Sequence, residues 1–416
     1  MPTPAMRRLC VLLAASCALL AACGSSGGSG NGSSTSSSGG TPHSTRKATK
    51  TPTGVRGGPT PVPTDTAAGG TRRTPTPRPD ETPTQNQTLY VRESGNDDNP
   101  GTSPEMALKT VARAAQLLAP GTTVYVGPGH YTGRVEITGV EGTADAPIQL
   151  IADPTGAHTH DAPGAVTLDA AGDTSALVIT KSPYVTADSF VITGAVPQMT
   201  PKKVTATEVL VRTTSSNVTI SNCVIGQSGM ADGIRVDGSS DALIFDNLLF
   251  QNDRGLVITG DAPRAQVINN TIATSQRAGI VFTQKSGAAP TDGTVMNNIV
   301  QGNENNLGIN VDPGPPDAGA GYSGDFNLVF EPGVAEQSKD YKPPGVRGTD
   351  DINDDAQFVN LDQGDVHLAP GSPAVNKGSN HIDAALLNEL FKRSTLADGS
   401  VDKTPVDMGY HYPREQ

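Results

Sequence analysis

Aromatic residues are scarce in this chain. Its 416 residues include 8 phenylalanines, 8 tyrosines and no tryptophan. A broad aromatic platform for stacking sugar rings is therefore not expected, because such a platform needs several exposed rings.

Cysteine is almost as scarce. Of the 4 cysteines, Cys10 and Cys17 lie in an apolar segment at the start of the chain, and Cys23 follows that segment directly. Only Cys223 remains in the later part of the sequence, so that part cannot form an internal disulfide. A single cysteine within an apolar strand pattern predicts a small buried side chain.

Basic residues are few in the long segment that begins at Thr88. The chain has 30 basic and 42 acidic residues, and 9 of the basic but only 3 of the acidic ones precede Thr88. The segment from Thr88 onward therefore holds 21 basic and 39 acidic residues, a net charge of −18. Such an acidic segment argues against a nucleic-acid partner.

Two series of short apolar segments alternate between Thr207 and Val311. In one series a glycine precedes an apolar, a variable and a second apolar residue, as in Asp232–Val236, Arg254–Ile258, Ala278–Phe282 and Leu307–Val311. The other series ends in asparagine, as in Val218–Asn222, Leu243–Asn247, Gln266–Asn270 and Thr294–Asn298. Two interleaved strands that share one period of 22 to 29 residues predict the stacked coils of a solenoid.

The residues within each segment alternate between apolar and variable. This period of two predicts strands with one face inward and one outward. The recurring glycines are expected at corners that need a backbone conformation closed to other residues. The recurring asparagines Asn222, Asn247, Asn270 and Asn298 are expected to stack as a hydrogen-bonded ladder at a turn. They are therefore predicted to be scaffold.

The first 22 residues have the organisation of an export signal. Arg7 and Arg8 precede an apolar run from Leu9 to Ala22, which is too short for a comfortable membrane span. Leu20-Ala-Ala-Cys23 resembles the lipobox of bacterial lipoprotein precursors. That resemblance implies export, cleavage before Cys23, acylation of Cys23 and a lipid anchor in a bacterial cell envelope. The alternative is an ordinary signal peptide cut nearby, with Cys23 incidental.

Residues 23–87 consist mainly of Gly, Ser, Thr and Pro. A segment with so few large apolar residues cannot bury a core and is predicted to be a disordered tether. It carries 7 basic and 3 acidic residues. The folded domain is expected to span residues 88–416.

The start of that domain resembles right-handed parallel β-helix proteins of the pectate-lyase-like superfamily. The features that carry the resemblance are a strand at Thr88–Val91, a turn rich in Asp and Gly, a helix over Pro104–Leu118 and a Gly127-Pro-Gly-His-Tyr131 corner. The resemblance implies an all-β, right-handed parallel β-helix with an N-terminal capping helix. The segment from Phe358 to Tyr412 resembles the terminal segment of many bacterial members, which is expected to cap the last coils.

Characterised members of that superfamily mostly act on acidic polysaccharides as lyases, hydrolases or epimerases. The hydrolase and epimerase motifs are absent here. A lyase-type β-elimination needs a cation, usually Ca²⁺, and a Lys or Arg that removes a proton. No lysine occurs from Val204 to Gln284, so the resemblance leaves arginine as the candidate base on the regular coils.

Strand alternation predicts two outward rows on the aligned segments. One row comprises Leu210, Arg235, Val257, Val281 and Asn310, and the next comprises Arg212, Asp237, Thr259, Thr283 and Asp312. The candidate site residues beside these rows are Arg235 and Arg254 as catalytic groups, Arg212 and Arg235 as substrate-binding groups, and Asp232, Asp237 and Asp253 as ligands of Ca²⁺. The alternative is a solvated face with weak surface ion pairs.

The sequence therefore leaves two functions open. One is an envelope-anchored protein that binds an acidic polysaccharide, with cleavage by β-elimination undecided. The other is a non-catalytic surface, structural or adhesive module, since fold alone does not determine function.

Overall fold

The structure is a computed structural model that describes residues 86–199, 203–303, 308–312, 322–331, 340–342 and 346–414. The proposed signal segment, Cys23 and all of the tether before residue 86 lie outside the described residues. No helix in the described ranges is long and apolar enough to cross a membrane.

The described chain is built mainly from short strands. In chain order they are Thr88–Val91 (β1), Thr123–Val126 (β2), Gly129–Thr132 (β3), Val135–Thr138 (β4), Ile148–Ala152 (β5), Val166–Asp169 (β6), Leu177–Thr180 (β7), Val185–Asp188 (β8), Val191–Thr193 (β9), Gln198–Met199 (β10), Lys203–Val204 (β11), Ala206–Arg212 (β12), Thr219–Ser221 (β13), Val224–Gly226 (β14), Ala231–Asp237 (β15), Leu243–Phe245 (β16), Leu248–Phe250 (β17), Arg254–Thr259 (β18), Gln266–Ile268 (β19), Thr271–Ala273 (β20), Ala278–Thr283 (β21), Thr294–Met296 (β22), Ile299–Gln301 (β23), Ile309–Asp312 (β24), Ser323–Asp325 (β25), Leu328–Phe330 (β26), Tyr341–Lys342 (β27), Phe358–Asn360 (β28) and Asp365–Leu368 (β29). Two short α-helices, Val111–Gln116 (α1) and Ala384–Leu390 (α2), lie near the two ends of the described part.

Three parallel sheets account for most of these strands. Sheet A has the order β1-β2-β5-β8-β13-β16-β19-β22-β25, sheet B β3-β6-β9-β14-β17-β20-β23-β26, and sheet C β4-β7-β12-β15-β18-β21-β24-β27. Each coil supplies one strand to each sheet in turn, and neighbouring strands come from successive coils. The chain is therefore an all-β, right-handed parallel β-helix, as predicted.

Stacked aliphatic side chains fill the interior. Ile234, Leu256, Ile280 and Ile309 occupy one inward row of sheet C, and each is fully buried. Fully burying such a side chain stabilises a fold by about 1.5–3 kcal/mol. The same register recurs in every coil, so the apolar pattern of the sequence determines which face is inward.

The recurring glycines are needed for close packing and not for an unusual backbone conformation. A Cβ on Gly255 would lie 2.3 Å from Ile272 Cγ2, and one on Gly233 would lie 2.6 Å from the Gly255 carbonyl oxygen. Neither glycine has a positive φ. The reason given by sequence alone was therefore wrong, although the glycines do mark a repeated position.

The asparagine ladder exists, with one change of register. The side chains of Asn247, Asn270, Asn298 and Asn327 each donate to the next rung, at 2.9–3.2 Å, and Asp351 is the last acceptor. Asn222 is not a rung, because Ser221 pairs with Phe245 and places Asn222 opposite Asp246.

The buried Cys223 takes that first position instead. Its backbone N–H donates to Asn247 Oδ1 at 3.0 Å. Its thiol is fully buried, as the sequence predicted for a small apolar side chain.

A helix covers the first coil. The predicted helix over Pro104–Leu118 is a 3₁₀ turn at Pro104–Met106 followed by α1. Thr110 caps α1, because its hydroxyl accepts a hydrogen bond from the Arg113 N–H. Helix α1 contacts β1 and β4, the edge strands of sheets A and C. It therefore protects the exposed edge of the solenoid.

The C-terminal segment lies along the side of the solenoid. The expectation that it caps the last coils was wrong. The Tyr410 N–H donates to Thr271 Oγ1 at 2.9 Å, and the His411 N–H donates to Asp246 Oδ1 at 2.6 Å. The physical reason is an apolar strip on the outer face of sheets A and B, where Phe245 and Leu248 need cover.

His411 anchors this segment within a buried ion cluster. Its Nε2 lies 2.8 Å from Asp402 Oδ2, and its Nδ1 lies 3.4 Å from Asp246 Oδ1. Burial by itself would lower the pKa of His411, but hydrogen bonds to the two aspartates outweigh it and raise the pKa to about 9.

Candidate functional site

The two predicted outward rows have the expected register on sheet C. Leu210 pairs with Arg235 and Arg212 pairs with Asp237. The rows are not open along their whole length. Val257 is fully buried and Thr259 is only 2% exposed, so the expectation that Thr259 lies on an exposed face was wrong. Beside these buried residues the face is open at β12 and β15, where Arg212 is exposed and Arg235 and Asp237 are partly exposed.

Asp232 is the centre of a compact ion cluster at the start of β15. It is fully buried, and both of its oxygens accept from guanidinium groups. Arg254 donates from Nε and Nη2, each at 2.7 Å, and Arg235 Nη2 donates to Oδ2. Both arginine side chains are 18% exposed. Asp232 therefore fixes the two arginines at the surface of sheet C.

The other two predicted metal ligands are also ion-paired. Asp253 accepts from Arg277, and Asp237 accepts from Lys285. No group of three or more His, Cys, Asp or Glu residues in the described part of the chain is placed to hold a metal ion. Calcium takes six to eight oxygen ligands. The three aspartates do not offer such a set.

Arg212 and Asp237 lie in a separate cavity at the C-terminal ends of the sheet C strands. We call this cavity the basic pocket; its volume is about 460 Å³. It is lined by Thr180, Lys181, Arg212, Thr213, Asp237, Gly238 and Lys285. Strands β7, β12 and β15 end at the pocket, and Lys285 reaches it from the turn after β21.

The basic pocket holds three cationic groups and one carboxylate. Arg212 is exposed, and its Nε donates to Thr180 Oγ1 at 3.1 Å. Lys181 is also exposed, whereas Lys285 is paired with Asp237. The pocket therefore has a formal charge of +2 within a segment whose net charge is −18. An anion is the ligand that this arrangement favours.

Sequence reasoning missed Lys181 and Lys285. Lys285 lies just after the interval from Val204 to Gln284 in which it found no lysine, and Lys181 lies one coil before that interval. Lys285 reaches Asp237 from 48 residues away, across two coils. Extending each outward row into the turn that follows its strand would have found both lysines.

The six predicted site residues therefore do not form one group. Arg235, Arg254 and Asp232 form the ion cluster, Arg212 and Asp237 line the basic pocket, and Asp253 faces Arg277. Arg235 and Asp237 lie two residues apart on β15, about 7 Å along the strand. A guanidinium stays protonated in proteins. The geometry therefore suits Arg235 and Arg254 for anion binding, and their catalytic role stays a prediction.

Glu208 is a buried carboxyl group near this face. In the register of β12 and β15, Glu208 lies opposite Gly233. Both carboxyl oxygens of Glu208 accept from the Ala195 N–H, at 3.1 and 3.2 Å. Burial raises the pKa of Glu208 from 4.5 to about 7. The folded chain therefore favours the neutral form of this carboxyl.

This shift predicts a specific pH dependence for Glu208→Gln. Because the folded pKa is raised, the contribution of Glu208 to wild-type stability is greatest below pH 4.5 and is lost as the pH rises through about 7. Glutamine cannot ionise, so between pH 4.5 and pH 8 the variant should gain up to about 3 kcal/mol of stability relative to wild type. Thermal melts at pH 4.5 and pH 8 measure the difference.

The exposed Glu136 provides the control. The melting temperature of Glu136→Gln should differ from that of wild type by the same amount at pH 4.5 and at pH 8, because Glu136 is half exposed. If Glu208→Gln and wild type have the same melting temperature at both pH values, the raised pKa of Glu208 is contradicted.

Comparisons with known proteins agree with the β-helix. A family model described as "Right handed beta helix region" matches residues 191–318. Among solved structures, the GH136 lacto-N-biosidase from Eubacterium ramulus is 16% identical, with a TM-score of 0.42, over 58% of this chain and 56% of that chain. This chain thus spans little more than half of that protein's length.

Two further solved structures are similar to parts of this chain. Pectate lyase Pel9A is 16% identical, with a TM-score of 0.42, over 72% of this chain and 94% of that chain. The alginate lyase from Paenibacillus sp. str. FPU-7 is 15% identical, with a TM-score of 0.35, over 60% and 82%. No curated protein matches the chain. These similarities are too low to assign a function to the chain.

Proposed function

We propose that this protein binds an acidic polysaccharide on the open part of the outer face of sheet C. The observation that carries the proposal is the basic pocket, which places Arg212, Lys181 and Lys285 around one carboxylate in an otherwise acidic domain. A polyuronate would be repelled by the domain's net charge without such a local cluster of cations.

The residues of the pocket have distinct roles in this proposal. Arg212 can pair with a sugar carboxylate in a two-point arrangement, whereas Lys181 supplies a flexible point charge. Lys285 is held by Asp237 in the free protein and can be shared with an incoming carboxylate. Arg235, fixed by Asp232 further along the same strand, is placed to meet the next acidic group of an extended chain.

The site favours binding of the polysaccharide without its cleavage. The three aspartates proposed to hold Ca²⁺ are each paired with a basic side chain. A lyase-type reaction would need a cation or an equivalent group to stabilise the developing charge. A non-catalytic binding or adhesive module therefore fits better than a lyase that depends on Ca²⁺ at these aspartates.

Titration calorimetry at low salt tests the proposal. The purified protein should bind polygalacturonate and alginate but not uncharged dextran, and added salt should weaken the binding. Arg212→Ala should weaken it about tenfold, the loss expected for one charge-assisted hydrogen bond. Arg134→Ala is the matched control, because Arg134 is also partly exposed but pairs with Glu136 and Asp173.

Two results would change the proposal. Unaltered affinity in Arg212→Ala, or no binding to any polyuronate, would exclude it. An increase in ultraviolet absorbance from unsaturated sugar ends during incubation would show that the protein is a lyase and not only a binding module.

We also propose that the mature chain is exported and held at a membrane by a lipid on Cys23. The supporting observation is the Leu20-Ala-Ala-Cys23 pattern that follows the apolar run. Cys23→Ala should abolish incorporation of a labelled fatty acid and leave a precursor or a soluble form. Equal labelling of Cys23→Ala and wild type would contradict the anchor.

A further inference from the structure

A second cavity lies beside the basic pocket, on the other side of the same turns. We call it the neutral pocket; its volume is about 320 Å³. It is lined by Pro147, Tyr184, Thr186, Asn217, Thr219, Asp241 and Leu243. The turns that leave sheet C at the basic pocket enter sheet A at the neutral pocket, so consecutive coils contribute to both cavities.

The neutral pocket combines an apolar surface with uncharged polar groups. Tyr184, Pro147 and Leu243 supply the apolar part, and the hydroxyls of Thr186 and Thr219 supply hydrogen-bonding groups. Binding sites for small ligands typically combine these two kinds of surface.

The one charge of this pocket is balanced. Arg264 donates to Asp241 from Nε at 2.6 Å and from Nη2 at 2.7 Å. A second uronate carboxylate bound here would be repelled by Asp241 and would have to compete with Asp241 for Arg264. The hydroxyls of an uncharged sugar would not be repelled by Asp241.

Only small side chains separate the two pockets. The turns between them carry a ladder of buried serines, in which the Ser182 N–H donates to Ser215 Oγ at 3.2 Å and the Ser215 N–H donates to Ser239 Oγ at 3.1 Å. Arg212 and Asn217 are five residues apart, which is at most about 17 Å at ~3.3 Å per residue. A saccharide of a few units can therefore reach from one pocket to the other.

The hydroxyl-bearing wall is built from one outward row of sheet A. Thr186 pairs with Thr219, and Thr219 pairs with Leu243. Neighbouring strands of a sheet lie about 4.8 Å apart, so the two threonine hydroxyls face a ring lying across β8 and β13.

We propose that the neutral pocket binds an uncharged sugar adjacent to the acidic sugar held in the basic pocket. The ligand would then be a polysaccharide in which uronate and neutral residues alternate. This inference rests on the proposed function, because it takes the basic pocket as the site of the uronate.

Two polymers and three variants test this inference by titration calorimetry on the full chain. Hyaluronan alternates glucuronate with a neutral N-acetylated sugar, whereas polygalacturonate is uronate throughout. The double variant Thr186→Val/Thr219→Val removes both hydroxyls and keeps β-branched side chains, so the strands should still form. Thr294→Val is the control, because Thr294 lies on the same outward row but outside the pocket.

The expected results separate the two pockets. The double variant should bind hyaluronan about tenfold more weakly, as for one or two lost hydrogen bonds, and polygalacturonate as wild type does. Arg212→Ala should weaken binding of both polymers. Hyaluronan binding that survives the double substitution, or wild-type binding of polygalacturonate alone, would overturn the neutral pocket and leave the proposed function intact. Failure of both polymers to bind wild type would overturn both.

Discussion

Asn270→Ala should lower the free energy of unfolding by about 2–4 kcal/mol. Asn270 Oδ1 accepts from the backbone N–H and the side-chain amide of Asn247, at 2.9 and 3.0 Å. Its own amide donates to Asn298 Oδ1 at 3.0 Å and to the Ile244 carbonyl at 2.9 Å. All these groups are buried, and each buried polar group left without a partner costs about 1–3 kcal/mol.

Gln266→Ala is the matched control for the ladder. Gln266 also carries an amide and lies on β19, the strand that leads to Asn270, but its side chain is exposed. Its removal should change stability by no more than about 0.5 kcal/mol. Urea unfolding of both variants measures the difference. Equal unfolding midpoints would show that the ladder does not stabilise the coils as proposed.

Asp232→Ala should destabilise the protein by about 3–5 kcal/mol. The substitution leaves Arg235 and Arg254 largely buried without the carboxylate that compensates both charges. Breaking a buried ion pair by removing one partner has a cost of this size, because the remaining charge stays desolvated. Asp232→Asn should be less damaging, since its amide oxygen can still accept one hydrogen bond.

Asp253→Ala provides the comparison within the same sheet. Its partner Arg277 is half exposed, with a side-chain exposure of 50%, so removing Asp253 leaves a charge that water can solvate. A partly exposed pair contributes about 1 kcal/mol or less. If chemical denaturation gives Asp232→Ala and Asp253→Ala the same loss of stability, the buried cluster does not have the structural role assigned to it.

The sequence by itself determined the fold class and the register of most coils. Inward residues such as Ile234 and Leu256 recur with one period, and a strand shifted by one residue would expose its whole apolar set. For the same reason the pairings of Arg212 with Asp237 and of Leu210 with Arg235 could be predicted. These features depend on local alternation and spacing, which can be read directly from the chain.

Register near Asn222 could not be read in the same way. The segment Val218–Asn222 matched the later segments by its final asparagine, yet the strand pairing places Cys223 opposite Asn247. An asparagine at either of two adjacent positions satisfies the pattern, and only the stacking of the coils selects between them.

Tertiary structure alone decided the composition of the site. Lys181 and Lys285 meet Arg212 because turns from different coils converge at one end of sheet C, and the alternation of the strands ends before those turns. The pairing of Asp232 with two arginines, and the burial of Thr259, likewise depend on which side chains lie across neighbouring coils. Periodicity determines which face a residue occupies, but long side chains and turns determine what it meets there.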